Sequence, residues 1–265
     1  MLALHLAILR YCVYSVLAKR PKFLPLFDVT FVWTTLILFV AYLVRGIAGF
    51  GSGLIAIPLL AIFHPLSLVV PIVVLLDYLG SAAQGVKNRN AIKWSELTPL
   101  LPFTLLGCVI ALYLFSSIDP FALKQALGVF VLIFAVYQIL PLPDLRGSRI
   151  WAFPAGLLGG LVGTIFGTGG PFYMIYLSLR GLGKTETRAS FASYFFIDGS
   201  IRLIGFLLIG MLNKELFIAL IVLLPAAAIG LLAGGRVHTE ISNSTFKYFI
   251  SLLLVFSGYR LLNVA

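Results

Sequence analysis

The chain has 265 residues, of which 61% are hydrophobic and 11% charged, with a mean hydropathy of +1.08 and a formal net charge of +10. So much apolar surface cannot be enclosed in one water-soluble core, which excludes a soluble enzyme and leaves a membrane protein. The positive charge sits in short breaks between apolar runs, such as "VKNRNAIK" (86–93) and "RGLGKTETR" (180–188), which is the positive-inside pattern rather than a nucleic-acid surface.

Residues 1–18, "MLALHLAILRYCVYSVLA", carry Arg10 at their centre and lack a basic start and a small-residue cleavage site. They read as an interfacial or spanning helix rather than a cleaved leader. With the basic stretch "KRPK" they make an N-terminal unit, residues 1–26. Beyond it, helical runs are expected at about 29–46, 53–63, 66–86, 95–116, 121–141, 151–166, 171–180, 189–211, 215–235 and 245–262. The runs are continuous rather than alternating, so strands are not indicated. Cys12 and Cys108 stand alone in apolar stretches, and His64 and His238 sit at run ends, so neither a thiolate nor a histidine metal site is expected.

The first run ends in "AGFGSGL" (48–54), and "FGTGGP" (166–171) repeats the idea. Phe50-Gly51-Ser52-Gly53 matches Phe166-Gly167-Thr168-Gly169 at an offset of 116, and Glu96-Leu97 matches Glu215-Leu216 at 119. Pro102, Gly107 and Lys124 match Pro225, Gly230 and Lys247 at 123, while Asp77 and Asp198, at 121, fit only with a compensating gap. A slowly growing offset is what duplication followed by loop insertion leaves. The halves are residues 27–141 and 151–265, joined at the stretch "PLPDLRGSR" (141–149), with the linker taken as 142–150.

In each half the first two runs look too short to cross. Residues 151–166 would cover about 24 Å and 171–180 about 15 Å, against a hydrocarbon core of about 30 Å. The Gly-rich turn between them therefore lies at membrane depth, in a re-entrant hairpin or in one broken spanning helix. Without the N-terminal cluster, hairpins divide the Lys and Arg ten to three between the two sides, and crossing helices divide them seven to six. The count favours hairpins, three full spans per half and inverted repeats, although "KRPK" falls on the other side.

A helix that begins inside the membrane presents unpaired N–H groups and the positive end of its dipole, so it can receive an anion. Gly49, Gly51 and Gly53, and Gly167, Gly169 and Gly170, let the backbone approach such a ligand, and Ser52 and Thr168 each add a hydroxyl. Pro171 suits a first helical turn. The plainer reading of the same glycines is close helix packing. Arg45, one turn before the first loop, is a candidate counter-charge or a snorkelling residue. Asp198 and Arg202 are four apart and share a helix face, either as a structural pair or as proton carrier and anion ligand. Asp77 has no basic neighbour in sequence and is a proton-coupling candidate, or else a bridge between helices. Gln84 and Tyr194 are candidate lining residues. A membrane hydrolase with Ser52 as nucleophile is disfavoured, because the serine has a counterpart in Thr168 and no histidine lies at its depth.

The stretches "RGIAGFGSGLIAIPLL" (45–60) and "GLLGGLVGTIFGTGGPFYMIYL" (156–177) resemble the sulfite exporter TauE/SafE family over roughly residues 28–262. The resemblance implies a multi-pass permease of the cytoplasmic membrane that moves sulfite or organosulfonates, most often outward, with the turns at 49–53 and 167–170 as anion site. The chain departs from the family at "LVVPIVVLLD" (68–77), where many members have a small-polar stretch. The expectation is thus an all-α polytopic membrane transporter of two inverted repeats, each a Gly-broken hairpin followed by three spans. It would need no cofactor, and its partners would be the anion, the bilayer, a coupling ion (H+ or Na+) and a second copy of the chain. An anion channel and a carboxylate permease are the alternatives.

Overall fold

The computed structural model describes residues 29–87, 89–140, 146–236 and 243–264, and the side chains of 83–89, 184, 243–247 and 264 are not among them. The expectations for residues 1–26, for His238 and for the Gln84 side chain lie outside the described residues. Apolar runs of this length must satisfy their backbone groups internally, and among the described residues they do so as helices, without a strand. In the first half these are α1 (Val29–Ala48), α2 (Ser52–Leu60), α3 (Leu66–Lys87), α4 (Trp94–Ser117) and α5 (Pro120–Ile139). In the second they are α6 (Ala152–Phe166), α7 (Gly170–Leu179), α8 (Lys184–Leu208), α9 (Lys214–Arg236) and α10 (Asn243–Val264). Among the described residues six helices are long and apolar enough to cross a bilayer, and the apolar parts of α3 and α10 lie in helices of 22 residues each.

One length differs from expectation. α1 has 20 residues, about 30 Å, and is long enough to span, whereas α2 with 9, α7 with 10 and α6 with 15 residues are shorter than the hydrocarbon core. The helical pattern continues through Ala48 because nothing breaks it before Gly49, whose φ is +87°.

Helix ends are set by local chemistry. Asp119 accepts from the N–H groups of Phe121 and Ala122 at 2.9 and 3.2 Å, with Pro120 in the first turn of α5. Gly51 and Gly167, at φ +97° and +62°, take the left-handed conformation that turns the chain into α2 and out of α6.

Four helix pairs make the frame, and in three of them glycines fix the direction by leaving no room for a methyl group. Along α1, Phe39, Leu43 and Gly46 meet Gly230, Gly234 and Gly235 of α9 in the same order, so the two run parallel. Along α4, Leu100 and Thr104 meet Gly156 and Gly160 of α6, again parallel. On α5 and α10 the order reverses, Gly128 meeting Leu261 and Leu132 meeting Gly258. The fourth pair is α3 with α8, where Tyr78 stacks on Phe196 at 4.5 Å between ring centroids and packs on Gly199. Exposed Leu, Ile, Val and Phe side chains on α4, α5, α9 and α10 face outward, as a lipid-facing surface requires.

The short helices return beside the starts of their longer partners. His64, just past α2, hydrogen-bonds through Nε2 with Thr34 Oγ1 at 2.9 Å. At the end of α7, Leu179 O accepts from Gly147 N at 2.9 Å, two residues before the turn Arg149–Trp151 that opens α6.

Candidate functional site

The two Gly-rich turns meet in the buried interior. A methyl group on Gly53 would stand 2.4 Å from the carbonyl oxygen of Gly167, so backbone lies directly on backbone there. Around this contact is a cavity of about 20 Å³, enough for one water-sized group. Arg45, Gly51, Ser52, Gly53, Asp77, Gly167, Thr168 and Gly170 line it, and Phe50, Phe191 and Phe195 close its apolar side.

Asp77 sits near the middle of α3, so its contacts with Arg45 and Ser52 bring the first turn level with that midpoint. Arg45 Nη1 is paired with Asp77 Oδ1 and also donates to Ser52 Oγ at 3.2 Å. Arg45 Nη2 donates to the main-chain oxygen of Asp77 at 3.1 Å and to Ser81 Oγ at 2.7 Å. Ser52 Oγ and Tyr42 OH donate to the same Asp77 Oδ1 at 2.6 and 2.7 Å. Arg45 is 2% exposed and Asp77 3%, so the pair is desolvated, and removing one member of such a pair costs about 3–5 kcal/mol. Of the two readings of Asp77, the contacts show the bridge between helices, and its partner is Arg45, 32 residues away in sequence and so invisible to local spacing.

The second half answers with a different wiring. Arg202 pairs with Asp198 one turn away on α8, as their spacing predicts. Tyr173 OH donates to Asp198 Oδ1 at 3.1 Å, and Arg202 Nη2 donates to Gly159 O at 3.4 Å. The guanidinium fills the space left by Gly163, where a methyl group would stand 1.9 Å from it. Neither Asp198 nor Arg202 lines the cavity. The Cζ atoms of Arg45 and Arg202 lie 5.8 and 5.6 Å from the centroid of the Phe195 ring, so one aromatic ring serves both cations.

Two buried donors at the cavity lack a hydrogen-bond partner, Thr168 Oγ1 and Arg45 Nε. α2 and α7 both begin without a side-chain cap. A buried orphan donor costs about 1–3 kcal/mol, so a place that keeps them beside uncapped helix starts is suited to an acceptor-rich ligand.

The remaining expected residues lie close by but do other work. Gly49 packs on Arg188, whose Nη2 donates to Ile47 O at 2.7 Å and so caps the end of α1. Gly169 lies against Gly159 O and the Arg202 guanidinium. Tyr194 shares a 2.5 Å hydrogen bond with Thr104 and is fully buried away from the cavity. Tyr42, Ser81, Phe191 and Phe195 escaped the reading of the sequence. One signal was available: Ser81 follows Asp77 by four residues as Arg202 follows Asp198.

The family described as Sulfite exporter TauE/SafE matches residues 34–261. Among curated proteins, the chain is 26% identical over 196 residues, 72% of its length and 81% of the relative's, to the "Probable inner membrane transporter protein TsaS" of Comamonas testosteroni. It is 24% identical over 225 residues, 82% of its length and 87% of the relative's, to the "Probable sulfite/organosulfonate exporter TauE" of Cupriavidus necator. No solved structure matches it.

Proposed function

The chain belongs to the sulfite exporter TauE/SafE family of membrane transporters, a multi-pass protein of the cytoplasmic membrane, and from that premise we propose that it exports a small sulfur oxyanion by alternating access. The cargo class is sulfite or an organosulfonate, in keeping with the name of the Cupriavidus relative. It binds between the two Gly-rich turns, with Arg45, Ser52 and Thr168 as side-chain donors and the starts of α2 and α7 as backbone donors.

The observation that carries this reading is the unpartnered Thr168 hydroxyl, 2% exposed, in a cavity that also holds a buried arginine and both turns. In the proposed architecture α1–α2 and α6–α7 are re-entrant hairpins, and residues 27–141 and 151–265 are inverted repeats. The helix pairing supports it: exchanging the halves turns the α1–α9 pair into α6–α4 and leaves α3–α8 and α5–α10 as they are. Movement of one repeat against the other then uncovers the turns to each side in sequence.

The mechanism follows from the groups present. The desolvated site strengthens each hydrogen bond to an oxyanion, and glycine at the approach leaves the backbone N–H groups unobstructed. Phe50, Phe191 and Phe195 give the non-oxygen part of the cargo an apolar wall. The test is counterflow in proteoliposomes preloaded with unlabelled sulfite or methanesulfonate, with labelled compound outside. Uptake that exceeds that of empty vesicles, and that Gly51→Leu abolishes by straining a residue at φ +97°, supports the carrier. Absence of counterflow with both anions in folded protein rejects the substrate class.

A further inference from the structure

Resting on the anion-carrier reading, a second question is what holds the site when no cargo is bound. Three donors converge on one oxygen: Arg45 Nη1, Tyr42 OH and Ser52 Oγ all reach Asp77 Oδ1. That is the donor set an oxyanion requires, taken up by the chain's own carboxylate. The adjoining cavity, about 20 Å³, holds one water-sized group and has no room for an oxyanion beside that carboxylate.

We propose that Asp77 is a tethered stand-in for the cargo: the arriving anion takes over Arg45 and Ser52, Asp77 withdraws protonated, and each anion therefore travels with one proton. Charge balances in the exchange. Arginine with carboxylate becomes arginine with anion plus a neutral acid, and the proton comes from water on the side to which the site is open. Both states keep the buried arginine paired.

The two halves differ in a way that assigns this role to Asp77 and not Asp198. Arg45 and Asp77 stand on different helices, α1 and α3, so their pair can part when the hairpin shifts. Asp198 and Arg202 share α8 and remain together however that helix moves. Only the first pair lines the cavity. The titratable or charged groups that face Asp77 are Arg45 and Tyr42 of α1 and, across the Phe195 ring of α8, the Arg202–Asp198 pair. α2 and the α6–α7 turn bring Ser52 and Thr168, α3 itself brings Ser81, and α9 brings Leu231 against Gly80 and Arg45. α5 and α6 meet α3 in the shared apolar core.

Methanesulfonate is a suitable probe because it stays a monoanion across the working pH range. In proteoliposomes containing a pH-sensitive dye, the wild type should move labelled methanesulfonate and protons in the same direction at equal initial rates, and bind the anion more weakly as pH rises. Asp77→Asn should move the anion without protons, and its affinity should be flat with pH. Asp198→Asn, at whatever rate it turns over, should keep equal fluxes, and so should Ser52→Ala with weakened affinity. The inference is overturned if the wild type moves the anion without protons, a result that needs no variant to fold, or if Asp77→Asn keeps equal fluxes. Failure of the wild type to move either methanesulfonate or sulfite removes the carrier reading itself, and the inference with it.

Discussion

Thr168 has a hydroxyl that no neighbour takes up, so removing it deletes a donor without breaking an existing bond. Thr168→Ala should therefore leave thermal stability unchanged or slightly raised while weakening anion affinity by about tenfold, the worth of one hydrogen bond to a charged group. Binding measured by thermal shift in detergent separates the two effects. Gly53→Ala should do the reverse of a silent change: its methyl group meets the Gly167 carbonyl, an immovable neighbour, and about 1–3 kcal/mol of stability should be lost along with transport. The glycines and the two hydroxyls were legible in the sequence because the same unusual cluster occurs twice. The partner of Asp77 was not, since side chains 32 residues apart meet only through the folding of α1 beside α3.

Among the elements, α7 has only 10 residues, and its far end is tied down by charge. Glu96 at the start of α4 is 7% exposed and accepts from Arg180 Nε at 2.8 Å, Arg149 Nη2 at 3.2 Å and Tyr176 OH at 3.2 Å. Arg180 Nη1 also donates to Gly147 O at 2.6 Å, so the linker, α4 and α7 are clasped at one point. Glu96→Gln should lower stability by about 1–2 kcal/mol, because a hydrogen-bonded charge is lost from a mostly buried position. Arg149→Ala should cost far less, since that side chain is 58% exposed and water screens it. Thermal unfolding of the two variants in the same detergent checks the ranking. The element pattern itself was readable from uninterrupted apolar runs, α1 included, which runs two residues past the expected 29–46 until Gly49 at φ +87° ends it.

For the molecule as a whole, the contacts collect the basic breaks on one side. Lys93 Nζ pairs with Glu186 at 2.9 Å, Lys93 N donates to Ser190 Oγ at 2.9 Å, and Glu96 joins Arg149 and Arg180. The breaks at 89–93, 146–151 and 180–188 thus share a face, which the positive-inside rule assigns to the cytoplasm. Single cysteines placed at Ser148 and Gly181 should react with an impermeant thiol reagent only in inside-out vesicles. Cysteines at Ile118 and Asn213, in the opposite turns, should react only in right-side-out vesicles. Labelling of all four from one side would sink the inverted arrangement. Charge counting favoured this arrangement from the sequence, yet the directions of the α1–α9, α4–α6 and α5–α10 pairs came only from the order in which glycines meet their partners.

The carbonyl of Gly167 resting on Gly53 has one more consequence. A stop made of two main chains in contact cannot be opened by a rotating side chain, so the two turns part only if α2 shifts bodily against the end of α6.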